Sequence, residues 1–295
     1  MSIQHLKESV PSRTSSDYAI LPLEIYSPSP VDTYYFIPYH WHDEIELLYI
    51  EHGEFILHIS GETHVAKAGD VYFINSQEIH QITATTLTST HHAIVFDPKI
   101  IRFQWHDVAN LSYLTPLTKS QIKLPLTLKD DHLNAIIGAE IKQSALAFHQ
   151  GHLSWSLVAK SSILKIMALL ASAEAFIRSE SLEKKDVEKS MIARTVMTYV
   201  QENYMNKIAL DDLAGLVNLS TPYFCKFFKS LFAKTPVEYI NEYRVEKASF
   251  LLTQTDDKII DISFSVGFEH FSYFIRKFKK IKGLTPSEYR KHHGR

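Results

Sequence analysis

Apolar positions follow three different rhythms along the chain. Between residues 33 and 96 they come in short runs, several alternating with polar residues, as in Phe55-Ile56-Leu57-His58-Ile59. Alternation with period two places one set of side chains on one face of a strand. The runs 33–38, 45–51, 54–60, 63–66, 70–74, 79–84 and 92–96 are read as strands. Glu51-His52-Gly53-Glu54 and Ser60-Gly61-Glu62 are read as hairpin turns. Many short strands with regular turns predict an antiparallel barrel or sandwich. Residues 98–128 show no clear period. Trp105 and Tyr113 are expected to be partly buried there, and Leu124-Pro125-Leu126 to form an edge strand.

From residue 130 the rhythm lengthens to the helical period. Asp130–Phe148 places Leu133, Ile136, Ile137, Ile141 and Leu146 on one side. After Gly151, a longer helix is expected over Leu153–Ile177. It has Leu157, Leu164 and Ala171 at heptad spacing, with Ile163, Ile166, Met167 and Leu170 beside them. Such a stripe can pack on the barrel, meet a second subunit, or do both. The charged segment 179–189 reads as a linker, and the polar residues 1–18 as a loose arm.

The last third is helical throughout and repeats itself. Residues 223–239, YFCKFFKSLFAKTPVEY, recur at 273–289 as YFIRKFKKIKGLTPSEY. Leu210, Leu213 and Ala214 correspond to Ile259, Ile262 and Ser263, so the repeat covers a short helix, a turn and a longer helix. That is a helix-turn-helix built twice. Thr221 is read as the cap of the first long helix, which opens at Pro222. Within each long helix, phenylalanines at spacings of three and four form a core face. Lys226, Lys229, Arg276, Lys279 and Lys280 fall on the opposite face.

Charge sharpens this division. The net charge of −2 splits into −7 over residues 1–189 and +5 over residues 190–295. A basic, repeat-bearing third attached to an acidic remainder suits nucleic-acid binding by that third. An ordinary solvated face would explain one basic helix. It gives no reason for the same basic positions to recur on two. An α-helix fits the major groove, and two in tandem can read successive segments of it. The chain has one cysteine, Cys225, so it holds no internal disulfide. The N-terminus lacks the apolar core of a signal peptide, and the most apolar run, 163–177, is interrupted by Lys165 and Glu174. A cytoplasmic protein without a membrane span is expected.

Over roughly 190–290 the sequence resembles the AraC/XylS transcriptional regulators. The resemblance runs from Ile208-Ala209-Leu210-Asp211-Asp212-Leu213-Ala214 through Tyr223-Phe224, Phe228-Lys229, Thr235-Pro236 and Arg244. It continues through Gly267-Phe268, Ser272-Tyr273-Phe274, Arg276, Gly283, Thr285-Pro286 and Tyr289-Arg290. It implies a seven-helix domain with two helix-turn-helix units joined by the 236–253 helix. Ala233 stands where the family usually has glycine, and a positive φ there would cost about 1 kcal/mol. The candidate DNA-contacting residues are Thr221, Lys226 and Lys229 in the first unit. In the second they are His270, Ser272, Arg276, Lys279 and Lys280.

A second constellation lies at 40–80. His40-Trp41-His42 is followed by Glu46, Gly53, Gly69-Asp70 and His80. This order resembles the two signature segments of the cupin barrel. That resemblance implies His40, His42, Glu46 and His80 as ligands of a divalent metal, for which imidazole and carboxylate suit Zn, Fe, Mn or Ni. The same polar residues also suit a small polar effector without a metal. Tyr39 and Trp41 then join the four as candidate effector contacts. Aromatic faces at 34–36, 39 and 41 would fit a sugar, and equally a hydrophobic core.

The sequence therefore predicts a cupin-like antiparallel barrel with an N-terminal arm over 1–128 and a helical packing or dimerisation segment over 129–178. A linker at 179–189 and an all-α, double helix-turn-helix domain over 190–295 follow. The expected function is a homodimeric, effector-responsive regulator, an activator, that binds double-stranded DNA and contacts RNA polymerase. Two alternatives remain at this point. One is a metal-dependent cupin enzyme with an appended DNA-binding part. The other is a dimeric regulator that responds to no ligand.

Overall fold

A computed structural model describes residues 23–27, 35–105, 107–178 and 184–294. The expected arm at 1–18 lies outside them. Eight strands form two four-stranded antiparallel sheets. They are β1 (Leu23–Tyr26), β2 (Phe36–His40), β3 (Ile45–His52), β4 (Glu54–Ile59), β5 (Glu62–Lys67), β6 (Val71–Ile74), β7 (His80–Ala84) and β8 (Thr90–Phe96). One sheet has the order β1-β8-β3-β6 and the other β2-β7-β4-β5. Every expected run from 45 onward is a strand. β1 was not anticipated, since four residues of LEIY offer too little alternation to register.

β3 shows why its sequence is nearly all apolar. Leu48 and Ile50 enter the core between the sheets with Phe55, Leu57, Ile59, Ile74 and Ile82. Ile45 and Leu47 face the other way, into a second core with Phe73, Ile94 and Phe96. The second core is closed by α2 (Asp131–His149) and α3 (Trp155–Ser172), through Ile137, Ile141, Ile163, Ile166 and Leu170. A strand covered on both faces has no polar face to alternate with.

The region 98–128 holds a 3₁₀ turn (Pro98–Ile101), a π-helical turn (Asn110–Leu114), α1 (Thr115–Thr118) and β9 (Ile122–Lys123), which pairs with β10 (Ile177–Arg178). Three expectations fail here. Leu124-Pro125-Leu126 is not a strand; it runs beside β6 with one bond, from the Phe73 amide to the Leu126 carbonyl. Trp105 is 81% exposed. The second long helix ends at Ser172, five residues early, because Glu174 takes a left-handed backbone and 177–178 pair with β9.

α3 is apolar and long enough to cross a membrane by length and composition, with a mean hydropathy of 1.3. Its Ile163, Ile166, Met167 and Leu170 face is nonetheless the one packed on the barrel. The heptad residue Leu157 lies outside that contact at 69% exposure, as does Leu153.

The remaining helices are α4 (Lys184–Asn203), α5 (Leu210–Leu216), α6 (Thr221–Phe232), α7 (Pro236–Gln254), α8 (Ile259–Ser265), α9 (Phe271–Lys282) and α10 (Pro286–His293). The expected linker is shorter than its charge suggested. Residues 179–183 lie outside the described residues, and 184–189 are already helical. Lys and Glu are good helix formers, so a charged stretch rich in them joins the helix that follows.

α7 and α10 begin with the same device. Thr235 and Thr285 each accept from the amide three residues on, and Glu238 and Glu288 reach back to the threonine amide. These bonds hold both carboxyls below the usual glutamate range. α6 and α9 end alike in a left-handed residue, Ala233 at φ 53° and Gly283 at φ 75°. The strain expected at Ala233 is therefore real. Ala233→Gly should raise the stability of this half by up to ~1 kcal/mol, read as a higher urea midpoint with unchanged slope.

Candidate functional site

The two long basic helices are the same object presented twice. α6 and α9 run from residue 221 and 271 respectively for twelve residues, and both end in a left-handed cap. Phe224 and Phe228 are buried in the first, Phe274 and Phe278 in the second. Lys226 and Lys229 are exposed on α6; Ser272, Arg276, Lys279 and Lys280 are exposed on α9, with His270 exposed at its cap. The Arg276 guanidinium lies 5.7 Å from the Tyr273 ring centroid. Thr221 departs from expectation. The cap is Ser220, and the Thr221 hydroxyl donates to the Asp211 carboxylate, tying α6 to α5 instead of standing free.

Two other arginines with the family spacing serve the fold. Arg244 donates to the carbonyls of Tyr204 and Asn206, each at 2.7 Å, and Arg290 donates to Leu252 and Asp257 carbonyls. Each gathers the free carbonyls past a helix end. Lys282 is paired with Glu246 at 2.7 Å, so it is not part of the open basic face.

In the barrel, His40, His42, Glu46 and His80 come together. One ligating atom from each lies within 4.8 Å of the others, and all four residues are buried. His42 Nε2 is 3.3 Å and His80 Nε2 3.2 Å from Glu46 Oε2. The three rings are turned the same way: Nδ1 of His40, His42 and His80 meets the carbonyl of Pro38, Glu44 and Glu78 respectively, at 3.0, 3.0 and 2.9 Å. Burial and the neighbouring imidazoles hold His40 well below the usual histidine range. Burial also pushes His42 down, but the bond and charge of Glu46 outweigh it and raise it. Glu46 is itself penalised by burial, yet its contacts with His42 and His80 keep it ionised well below the usual range.

Residues 28–166 match the family model described as the AraC-like ligand binding domain, and residues 213–292 match a helix-turn-helix domain. The chain is 28% identical over 266 residues to the HTH-type transcriptional regulator YdeC of Bacillus subtilis, covering 87% of each. It is 25% identical over 255 residues to the HTH-type transcriptional activator RhaS of Escherichia fergusonii, covering 86% of this chain and 87% of that one. The chain belongs to the AraC family of transcriptional regulators.

For an AraC-family chain, the contact between barrel and helices is as informative as either site. Tyr39 and Trp41 do not line the barrel cluster, as had been expected of them. Tyr39 Oη donates to the Phe232 carbonyl at 3.0 Å, its ring meets Phe232 edge-on at 4.9 Å, and Lys234 Nζ sits 5.0 Å from its centroid. Tyr39 and Ile79 are counted within the core of the first helix-turn-helix, with Val196, Met197, Phe228 and Phe232, and Trp41 packs against it. Arg194 of α4 lies 5.6 Å over Trp41 and donates to the Gln77 carbonyl at 3.1 Å.

The reason is a β-bulge. Ile37 pairs with Ile82 and His40 with His80, so three steps on β2 match two on β7. The extra residue reverses the alternation. Tyr35 and Ile37 point into the barrel core, but beyond the bulge His40 points in and Tyr39 points out. Sequence reading missed Ile79, Arg194 and Lys234 as contacts.

Proposed function

We propose that this regulator is a cytoplasmic transcriptional activator that binds operator DNA as a homodimer and responds to a small effector held by the barrel. The observation that carries the reading is the duplicated exposure pattern of α6 and α9: buried phenylalanines inside, Lys226, Lys229, Arg276, Lys279 and Lys280 outside, fifty residues apart. A scaffold needs the first face twice but not the second. The name of the RhaS relative supports activation and hence contact with RNA polymerase. Relatives that are regulators support a binding barrel over an enzyme. Selection from random duplexes tests the reading: an enriched motif of two adjacent segments is expected, and no enrichment would sink it.

The boundaries 1–128, 129–178, 179–189 and 190–295 are retained as functional units, with the linker overlapping the start of α4. Dimerisation is assigned to the outward side of α3, where Leu157 is 69% exposed, with Leu153, in the turn just before the helix, 93% exposed. Leu157→Glu should shift sedimentation from dimer to monomer at micromolar concentration and leave the far-UV spectrum unchanged. A dimer of undiminished affinity would move the interface elsewhere.

A further inference from the structure

The tyrosine near the start of each long helix is used differently in the two copies. Tyr223 of α6 is 57% exposed. Tyr273 of α9 is half-buried, and its hydroxyl accepts from Asn241 Nδ2 at 3.1 Å. Asn241 is 4% exposed on α7, the helix that joins the two units. α4 packs on the first unit as α7 packs on the second. Fifty residues before Asn241, α4 runs Met191-Ile192-Ala193. None of those side chains can donate a hydrogen bond to a tyrosine.

The ring held by Asn241 is a platform for cations. Phe268, itself 3% exposed, meets it at 6.1 Å. The Arg276 guanidinium lies over it at 5.7 Å and Lys277 Nζ at 5.3 Å, three and four residues further along the helix. Lys277 is half-buried and acts on the Glu238 carboxylate of α7, whereas Arg276 is exposed. A free arginine samples many rotamers, and ordering them on binding weakens affinity. Attraction to a fixed ring removes part of that freedom beforehand. It engages the face of the guanidinium and leaves the in-plane N–H groups able to donate to a base edge.

We propose that Tyr273, tethered by Asn241, is a positioning residue for sequence recognition. It holds Arg276 in the orientation that meets a base edge, so a buried residue of α7 sets part of the specificity of α9. The first unit lacks the device: its tyrosine has no side-chain donor opposite it on α4, and position 226 is a lysine. The link to specificity rests on the reading of this chain as a DNA-binding regulator; the ordering of Arg276 in the free protein does not.

The test uses the full-length chain. Nitrogen-15 relaxation of the Arg276 Nε–H group reads its order without DNA. The order parameter should lie above ~0.6, the bound below which a backbone group counts as flexible, and should fall in Tyr273→Leu and in Asn241→Ala. Equal mobility in the wild type and both variants overturns the positioning role. On DNA, anisotropy compares the enriched duplex with one changed at the base pair whose preference Arg276→Ala relaxes. Tyr273→Leu should reduce that ratio of Kd values about 2- to 5-fold, the scale of one cation–π contact at an exposed site. Made in the Arg276→Ala background, it should change the ratio by less than ~1.5-fold, because the two residues act as one unit. A uniform loss on both duplexes with the ratio kept would make Tyr273 a support of the fold only. An equal fall of the ratio in the Arg276→Ala background would mean that Tyr273 acts independently of Arg276. Either result overturns the assignment. Asn241→Ala leaves the ring in place and repeats both measurements should Tyr273→Leu fail to fold. Should no duplex be enriched, the DNA-binding reading fails on its own, and the relaxation measurement still decides whether Tyr273 orders Arg276.

Discussion

Phe274→Ala should cost the second helix-turn-helix ~3–5 kcal/mol, the usual range for emptying a buried phenylalanine site. Phe274 has no exposed surface and sits among Phe268, Phe271 and Phe278, with ring centroids 5.1, 6.3 and 5.6 Å away. Val245, Ala248, Leu252, Ile262 and Val266 complete the same core. These neighbours come from α7, α8 and the turn before α9, so a void there loosens three helices at once. Stability on this scale is a large share of what a domain of about a hundred residues possesses. Hydrogen exchange should therefore lose protection across α7–α10 while the amides of β3 and β8 keep theirs, and DNA binding should be lost at temperatures the wild type tolerates. Phe264 provides the control. It lies on α8 but is 49% exposed, so Phe264→Ala should change stability by less than ~0.5 kcal/mol. A loss under ~1 kcal/mol from Phe274→Ala would mean that the pocket collapses or that the ring is not held there.

Much of this core was legible, because a helix buried on one face writes its packing into spacings of three and four. Phe224, Phe228, Phe274 and Phe278 were all placed correctly for that reason. The strands between 45 and 96 were legible through their turns, and the four-residue cluster through its histidine and glutamate spacing. What escaped reading has a physical cause in each case. The bulge at 37–40 is a pairing between β2 and β7, and its one local cue, Pro38, marks an edge strand as readily as a bulge. Without it, Tyr39 joins Tyr35 and Ile37 on the inner face. A cue did exist downstream. In Tyr39-His40-Trp41-His42, period two separates two ligands from two large aromatics, and ligands and aromatics cannot both face the same small site. Tyr39 and Ile79 are buried, and Trp41 half-buried, in a core shared with α4 and α6, more than a hundred residues away in the chain. Contacts of that kind are invisible to any local pattern. Thr221 misled for a subtler reason: threonine and serine both cap helices, and Ser220 took the position.

Two of the exposed cations of α9, Arg276 and Lys279, should separate into a reader and an anchor. Arg276 lies in the middle of the helix, exposed, with its guanidinium over Tyr273. A planar fork of donors can meet both acceptors of a guanine edge, and losing such a pair costs ~1–3 kcal/mol at that base alone. Arg276→Ala should then lower affinity for the enriched duplex roughly 5- to 150-fold, relax the preference at one base pair, and leave weak binding to unrelated duplexes nearly unchanged. Lys279 lies one turn further toward the C-terminus and is a point charge on a flexible stem. A charge of that kind suits phosphate, whose contacts carry affinity without sequence information. Lys279→Ala should weaken enriched and unrelated duplexes by the same factor. It should also reduce the slope of log K against log salt by about one, the signature of one lost counterion release. Anisotropy at four or five salt concentrations, on both duplexes and both variants, resolves the two roles. Were Arg276→Ala to weaken every duplex equally, with the same change of slope, it would be a second phosphate contact, and base reading by this face would fall to His270 and Ser272. The first unit has no counterpart to Arg276, since position 226 is lysine and the Thr221 hydroxyl is held by Asp211. The asymmetry predicts that the half of the enriched motif facing α9 tolerates fewer substitutions than the half facing α6.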